Sequence, residues 1–345
     1  MPTYKPNMPN RDYWEQRSLE VADAAWKETD KLEKALLTQY KLAQEDMRRD
    51  ILDFMDRYAK NNNISYDEAI RSLTAIEQST IRERLIRLQR RVIANPQSSA
   101  VYKAEISRLI SRVELDRMGG LLLLLEARAA ELAEETFVLT NTHLAAVFAE
   151  AYYKTLYTIG QNIVEAGFVG LNEAAITKAI TYPWSGDQFS SRIWQNKDLM
   201  VKTLRQTVTQ GIIQGTSTQK MTRAFNETMG NTFYNANRVI RTETAFVLNE
   251  GAHTSYVNSG VVDQYMFVAT LDDRTSNKCG SLDGQVFPLE DKLAGTNAPP
   301  MHPFCRSTVI PYFGPEAYER RAKEGGIGDV VQSQTYQQWR QSNGI

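Results

Sequence analysis

"LEKALLTQYKLAQEDMRRDILDFMDRY" runs from Leu32 to Tyr58 and contains neither proline nor glycine. Apolar residues recur along it at intervals of three and four positions, which places them on one face of a helix. These residues are Leu32, Leu36, Tyr40, Ala43, Met47, Ile51, Phe54 and Tyr58. The whole stretch 12–60 lacks proline and glycine. The sequence therefore predicts one long amphipathic helix that packs against other helices.

Helical patterns continue on the C-terminal side of this stretch. Ser65–Glu68 reads "SYDE", which has the form of a capping box and predicts the start of the next helix. Another helix is predicted from about Ser99 to Arg117, followed by a break at Gly119-Gly120 and a long helix from Leu121 to beyond Asn141. No strand pattern precedes about residue 180.

The residue composition changes twice in the second half of the chain. A loop rich in proline, serine and glycine carries Trp184, Phe189 and Trp194, which we expect to pack in a core. Two separate helices are then predicted over 218–229 and 235–258.

Three short β-like runs follow Gly260. "QYMFVATLDD" (264–273) alternates in the way typical of a strand, and "GQVFPL" (284–289) and "CRSTVIPYF" (305–313) are two further runs. The economical arrangement is a short antiparallel sheet that packs on the 235–258 helix. The predicted fold class is therefore mainly α, with an elongated helical N-terminal half and a small α+β C-terminal module.

The domain organisation follows from these changes. We expect a helical arm or bundle over residues 1–180, a compact module over 181–313 and a flexible C-terminal tail over 314–345.

Composition excludes several classes of protein. Lys plus Arg is 40 and Asp plus Glu is 41, for a net charge of −1, whereas proteins that coat DNA usually have a basic excess. Two cysteines in 345 residues cannot form a disulfide framework. The N-terminal stretch has no apolar core of a signal peptide, and "LLLLL" (121–125) is too short to span a bilayer. We expect a protein made and folded in a reducing cytoplasm.

Both cysteines and one of the three histidines lie in the dense segment 272–306. Cys279, His302 and Cys305 are the residue types of a zinc site, but they supply three ligands, whereas a structural site normally has four. A fourth ligand would come from Asp273, Asp283, His253 or a water molecule. These residues therefore make zinc a candidate cofactor.

Two other interpretations of these residues remain open. A cysteine could act as a nucleophile with His302 as its base, but Pro303 stiffens the loop and no third group to orient the base is evident. Alternatively, Cys279 and Cys305 are small buried hydrophobic residues and His302 is a hydrogen-bonded loop histidine. On the residues alone the packing interpretation ranks first, the metal second and the nucleophile third.

Another charged motif lies on the predicted 235–258 helix. Arg241 and Glu243 in "RTETAF" (241–246) are two positions apart and so do not face each other. If they are buried, we expect them to fix the helix against the small sheet rather than to catalyse. Phosphate-binding, dinucleotide-binding, zinc-protease and serine-hydrolase motifs are all absent from the sequence.

The order and spacing of these motifs resemble those of the phage Mu F-like family of minor head proteins, also called head morphogenesis or minor capsid proteins. The resemblance covers about residues 10 to 313. The matching residues are Arg241, Thr242, Glu243, Asp272 or Asp273, Arg274, Thr275, Cys279, Leu282, Asp283, Gly284, Pro299, Pro300, His302, Pro303, Cys305 and Arg306.

The resemblance implies a structural protein of a tailed bacteriophage and no enzymatic activity. Its implied partner is the portal protein, with major capsid or scaffold protein and phage DNA as further partners. Its implied location is the head interior of the virion, and the host cytoplasm during assembly, with a further role at DNA ejection. Within this family pattern Arg241, Glu243, Asp273, Arg274, Asp283, Gly284, Pro303 and Arg306 form a structural motif.

This sequence departs from the family pattern at Ser276 and Ser307, which stand near positions where many relatives carry further cysteines. The departure weakens the metal interpretation, whereas the frequent histidine at the Cys279 position in relatives strengthens it. Some relatives carry a fused toxin or ADP-ribosyltransferase domain, which we do not expect after Pro315. The alternative functions are a metal-dependent or cysteine enzyme centred on Cys279, His302 and Cys305, and a DNA-binding ejection protein.

Overall fold

The computed structural model describes residues 11–58, 64–112, 116–163, 165–314 and 340–345. The helices are α1 Arg11–Tyr58, α2 Tyr66–Ala69, α3 Ala75–Ala94, α4 Ala100–Ser111, α5 Arg117–Asn162, α6 Glu173–Ile180, α7 Phe189–Ile213, α8 Thr218–Ser259 and α9 Asn277–Leu282. The strands are β1 Gln264–Val268, β2 Val286–Pro288 and β3 Thr308–Tyr312. The predicted fold class, mainly α with a short antiparallel sheet near the C-terminus, is confirmed.

The predicted long N-terminal helix is α1, and its apolar stripe is buried as predicted. Leu32, Leu36, Tyr40, Ala43, Met47, Ile51 and Phe54 are all buried, and Tyr58 packs against the same core. Helices α5, α7 and α8 supply the other side of that core through residues such as Leu125, Leu204 and Phe225. In the described residues, none of the helices combines the length and the apolarity needed to cross a membrane.

Two helix breaks that the sequence predicted, one at Gly119-Gly120 and one between residues 229 and 235, are absent from the described helices. Helix α5 begins at Arg117 and runs through Gly119 and Gly120. A Cβ atom at Gly120 would lie 2.6 Å from Ile81 Cδ1, so glycine here allows α5 to approach the α3 side chain closely. Helix α8 is likewise continuous across Gly230, because a single glycine costs a helix only about 1 kcal/mol and the flanking turns carry buried residues such as Met229 and Thr232.

The predicted capping box at Ser65 is only half present. Ser65 caps the one-turn helix α2 by accepting a hydrogen bond from the Glu68 amide, and it starts no long helix. The reciprocal capping box is formed by Thr74 and Glu77 at the start of α3.

The chain forms two compact units, each built from segments that are distant in the sequence. The sheet unit comprises the described residues within 1–31, 141–189 and 238–345, and the helical unit comprises those within 32–140 and 190–237. The division of the chain into a helical arm (1–180), a compact module (181–313) and a flexible tail (314–345) stays a prediction. Residues 315–339 of that tail lie outside the described residues.

The sheet unit is organised around β1, which lies between β2 and β3 and is antiparallel to both. One face of the sheet packs on α8, where the Tyr256 hydroxyl donates a hydrogen bond to the Val309 carbonyl over 3.1 Å. The same core includes Trp14 from α1 and Ile159 from α5. The sheet is therefore held by helices from both halves of the chain.

The helical unit contains a buried carboxylate that binds three arginines. The Glu126 side chain in α5 is only 8% exposed. It accepts hydrogen bonds from Arg108 at 2.6 Å, Arg112 at 2.6 Å and Arg205 at 3.1 Å. Burial by itself would raise the pKa of Glu126, but the hydrogen bonds and charges of Arg108 and Arg112 outweigh burial and lower it.

A half-buried histidine makes the stability of the sheet unit depend on pH. His143 Nε2 lies 3.1 Å from Thr29 Oγ1 and 3.2 Å from Thr244 Oγ1. Burial lowers the pKa of His143 to about 4. Between about pH 6.5 and pH 4 the unfolded chain therefore binds a proton that the folded chain does not, so stability falls as the pH falls. We expect a loss of about 2 kcal/mol across this window.

Denaturant unfolding of the wild type and of His143→Gln between about pH 7 and pH 4 measures this loss. The carboxylates titrate in both proteins, so the difference between the two curves isolates the histidine. If both proteins lose stability equally, His143 is not the cause of the pH dependence.

Candidate functional site

Cys279 is positioned by the short helix α9. Ser276 is the N-cap of that helix, and its hydroxyl accepts a hydrogen bond from the Cys279 amide over 3.2 Å. Cys279 then lies in the first turn and is 2% exposed. Ser276 therefore has a structural role as the cap of α9.

His302 and Cys305 are positioned by a tight turn. The Cys305 amide donates a hydrogen bond to the His302 carbonyl, and Phe304 between them has a φ of +60°. A non-glycine residue in this left-handed region must be held by its surroundings. The Phe304 amide donates to Thr242 Oγ1 in α8 over 3.2 Å. The threonine of the "RTE" motif therefore holds the turn that presents His302 and Cys305.

The three predicted metal-ligand residues converge in one cluster. Cys279 Sγ lies 3.4 Å from His302 Nε2 and 3.8 Å from Cys305 Sγ. One potential ligand atom from each residue lies within 4.8 Å of the others. Both cysteines are buried and free of disulfide, whereas His302 is half-buried. Burial raises the pKa of the Cys305 thiol.

The residues proposed as a fourth ligand lie elsewhere. Asp273 is exposed, the Asp283 carboxylate accepts a hydrogen bond from the Ala269 amide over 2.8 Å, and His253 Nε2 lies 3.0 Å from the Leu289 carbonyl oxygen. Over the ranges that the structure describes, no further cysteine, histidine, aspartate or glutamate joins the cluster.

An arginine–carboxylate pair joins the two ends of the segment that contains the cluster. Arg306 donates two hydrogen bonds to the Asp272 carboxylate, at 2.6 and 2.7 Å. The Arg306 guanidinium holds the pKa of Asp272 well below its usual range. Asp272 also accepts a hydrogen bond from the Arg274 amide over 2.9 Å. Of the two aspartates that match the family pattern, Asp272 and Asp273, it is Asp272 that forms this pair.

The remaining motif residues shape the turn between α9 and β2. Gly284 has a φ of +75°, which favours glycine, and its amide donates to the Phe267 carbonyl in β1 over 2.9 Å. Asp283, through its bond to Ala269, fixes the same turn to the end of β1. The side chain of Arg274 is 73% exposed and lies 3.7 Å from the Asp272 carboxylate. Pro303 supplies the carbonyl oxygen that lies 2.8 Å from His302 Nδ1.

Arg241 and Glu243 have separate contacts, as their spacing on the helix predicts. Glu243 is 2% exposed and accepts a hydrogen bond from Trp184 Nε1 over 2.9 Å. Arg241 pairs with Asp30 of α1, with 2.5 Å between the charged atoms. We expected these residues, if buried, to fix α8 against the sheet. The contacts described here join Glu243 to a loop and Arg241 to another helix, and Thr242 between them reaches the turn at Phe304.

Thr242→Val tests the contact between α8 and this turn. Valine fills the same space but leaves the Phe304 amide without its acceptor, which costs about 1–2 kcal/mol of unfolding free energy. Denaturant unfolding measures the change. Thr203→Val is the matched control, because its hydroxyl donates a hydrogen bond to the Leu199 carbonyl of its own helix, as Thr242 also does within α8 to Arg238. An equal loss in both variants would show that the Thr242–Phe304 hydrogen bond contributes nothing.

An aromatic groove in the sheet unit was missed by sequence reasoning. Its volume is about 790 Å³. Trp184 stacks on Phe246 with 5.4 Å between ring centroids, and both line the groove together with Tyr182, His253 and Lys292. We expected Trp184 in a core, but it is only half-buried, whereas Phe189 is buried as predicted. The available signal was the common helix face of Phe246 and His253, seven positions apart.

Comparison with known proteins identifies the part of the chain that carries the site. Residues 202–310 match the family model described as "Phage Mu protein F like protein". The matched segment begins in α7, ends in β3 and contains every motif residue from Arg241 to Arg306.

The chain also resembles one curated protein at low sequence identity. NAD(+)–arginine ADP-ribosyltransferase EFV of Enterococcus faecalis is 22% identical over 204 residues, which cover 55% of this chain and 42% of that protein. The chain thus spans less than half the length of this relative. No solved structure matches the chain.

Proposed function

We propose that this phage Mu F-like head morphogenesis protein acts at or near the portal during head assembly, as a minor capsid component of a tailed bacteriophage. Its partners would be the portal protein and, through the same assembly, major capsid or scaffold protein and phage DNA. It would reside in the head interior of the virion after assembly in the host cytoplasm, and leave with the DNA at ejection.

The proposal rests on one observation: the polar side chains of the motif form hydrogen bonds within the protein. Asp272 binds Arg306, Glu243 binds Trp184, and Thr242 binds the turn at Phe304. These contacts hold segments of the sheet unit together. A general acid, base or nucleophile must instead reach a substrate atom within hydrogen-bonding distance. The arrangement therefore favours a structural component over an enzyme.

The overall charge supports the same assignment. With a net charge of −1 the chain lacks the basic excess of a protein that binds DNA by neutralising phosphates. Contact with phage DNA would therefore be secondary to contact with protein, which suits a component recruited by the portal.

Quantitative mass spectrometry of procapsids and virions tests the proposal. We expect the protein in a few copies per head, and we expect the cognate portal protein to retain it in a pull-down of co-expressed proteins. Heads assembled without portal are the control and should lack it. Absence from both procapsids and virions would reject the role in assembly, whereas presence in portal-free heads would reject only the location at the portal.

The second candidate is a metal-dependent or cysteine enzyme centred on Cys279, His302 and Cys305. One observation favours it, the 3.4 Å between Cys279 Sγ and His302 Nε2, which is close enough for a thiol and its base. Against it, both sulfur-bearing residues are at most 2% exposed. The activity of the Enterococcus protein does not transfer, because the match is 22% identical and covers 42% of that protein.

Alkylation of the thiols separates the structural role from a cysteine enzyme with a free nucleophilic thiol. We expect iodoacetamide to modify Cys279 and Cys305 at least about 100-fold more slowly in the folded protein than in denaturant, because buried thiols are inert. Mass spectrometry of the modified protein over time measures both rates. Rapid labelling of one cysteine in the folded protein, abolished in His302→Gln, would favour the enzyme.

A further inference from the structure

We infer that Cys279, His302 and Cys305 form a zinc-binding site with one position open to water. This inference goes beyond the proposed role in head assembly and does not depend on it. It rests on the separations of the three side chains, on the orientation of the imidazole and on the apolar packing around the sulfur atoms.

Two of the three separations suit a tetrahedral ion, and the third, between Cys305 Sγ and a ring nitrogen of His302, is no more than 4.8 Å. Zinc binds sulfur at about 2.3 Å and imidazole nitrogen at about 2.0–2.1 Å, so tetrahedral geometry requires about 3.8 Å between two sulfur ligands and about 3.5 Å between sulfur and nitrogen. The observed separations are 3.8 Å between the two Sγ atoms and 3.4 Å between Cys279 Sγ and His302 Nε2. A disulfide would require about 2.05 Å between the sulfur atoms.

The imidazole of His302 is oriented as a ligand. Its Nδ1 lies 2.8 Å from the Pro303 carbonyl oxygen, which can only accept a hydrogen bond. Nδ1 therefore carries the proton, and the lone pair of Nε2 is directed toward Cys279. Histidines that bind metals through one nitrogen typically donate the other N–H to a carbonyl in this way.

The surroundings of the sulfur atoms are apolar. Phe267, Ala269 and Met301 pack directly around Cys279 and Cys305. His302 is half-buried, so the cluster meets solvent at the imidazole. A zinc ion would enter from that side and keep a water molecule as its fourth ligand.

The charge balance favours zinc in this setting. On binding, each thiol releases one proton to solvent and binds as a thiolate, so two thiolates and one Zn²⁺ carry no net charge. A neutral centre is far less costly to bury than an isolated ion. Sulfur and imidazole ligands also select zinc over magnesium and calcium, which prefer oxygen ligands.

Elemental analysis of the full-length protein, purified with a reductant, tests the inference. We expect about one zinc per chain. We expect Cys279→Ser, Cys305→Ser and His302→Gln to reduce the zinc content to about a tenth or less. His253→Gln is the matched control, because His253 lies in the same unit but outside the cluster, and it should keep the zinc.

A second measurement uses the wild type alone, in case the cysteine variants do not fold. Replacement of zinc by Co²⁺ should produce a thiolate-to-cobalt charge-transfer band in the near ultraviolet. Removal of zinc by a chelator should lower the midpoint of thermal unfolding by roughly 5 °C, and added zinc should restore it.

Three results would overturn the inference. They are a zinc content of less than about 0.1 per chain with no cobalt–thiolate band, equal zinc contents in His302→Gln and His253→Gln, and a Cys279–Cys305 disulfide in protein purified without a reductant from zinc-supplemented cells. None of them bears on the presence of the protein in heads, so this test and the test of the proposed function can fail separately.

Discussion

Gly251→Ala should lower the free energy of unfolding by about 3 kcal/mol, because α8 passes very close to α5 at this glycine. A Cβ atom at Gly251 would lie 2.6 Å from the Phe148 carbonyl oxygen, 3.0 Å from Ala151 Cβ and 3.1 Å from the Tyr152 amide nitrogen. Two of these three neighbours are backbone atoms of a helix and cannot rotate away. The added methyl group therefore forces the two helices apart.

Gly230→Ala is the matched control for this change. Gly230 lies in the same helix, and a Cβ atom there would meet nothing within 4 Å. Alanine has the higher helix propensity, so we expect a gain of up to about 1 kcal/mol. Denaturant unfolding followed by circular dichroism measures both variants. Similar stability of the two variants would show that Gly251 has no special packing role.

Glu126→Ala should cost about 2 kcal/mol, because it leaves three arginines without their shared carboxylate. The side chain of Arg108 is 50% exposed, that of Arg112 27% and that of Arg205 41%. They can therefore recover part of their hydration, and we place the cost below that of a fully buried pair. Denaturant unfolding again measures the loss.

Glu83→Ala is the control for the loss of a carboxylate. The Glu83 side chain is 68% exposed and lies 3.8 Å from Arg87 on the same helix. Exposed pairs of this kind contribute little, so we expect a change within about 0.5 kcal/mol. If Glu126→Ala is no more destabilising than Glu83→Ala, the arginine cluster contributes no stability.

Much of the secondary structure could be predicted from periodicity. The stripe from Leu32 to Phe54 identified α1, and the alternation after Gly260 identified the sheet. Glycine was the main source of error. Gly120 and Gly230 weaken a helix locally, but close packing at the first and the buried neighbours Met229 and Thr232 at the second outweigh that effect. These compensations depend on partners that are distant in the sequence.

The candidate site was predictable where the residue types are rare. With two cysteines and three histidines in the chain, Cys279, His302 and Cys305 stood out, and the fold brings them together. The choice between Asp272 and Asp273 depends on the direction of a turn, which composition does not show. The stacking of Trp184 on Phe246 joins residues on separate elements, and no local pattern predicts that contact.

The core of the sheet unit also fixes when this protein can fold as it leaves the ribosome. Trp14 packs with Ile310, and Ser18 Oγ lies 2.8 Å from Thr308 Oγ1, across a separation of 290 residues. The apolar face at the N-terminal end of α1 can therefore be buried only after β3 has been synthesised. A shortened chain consisting only of residues 202–310 would lack Trp14 and Ile159, and its sheet would be left with an incomplete core.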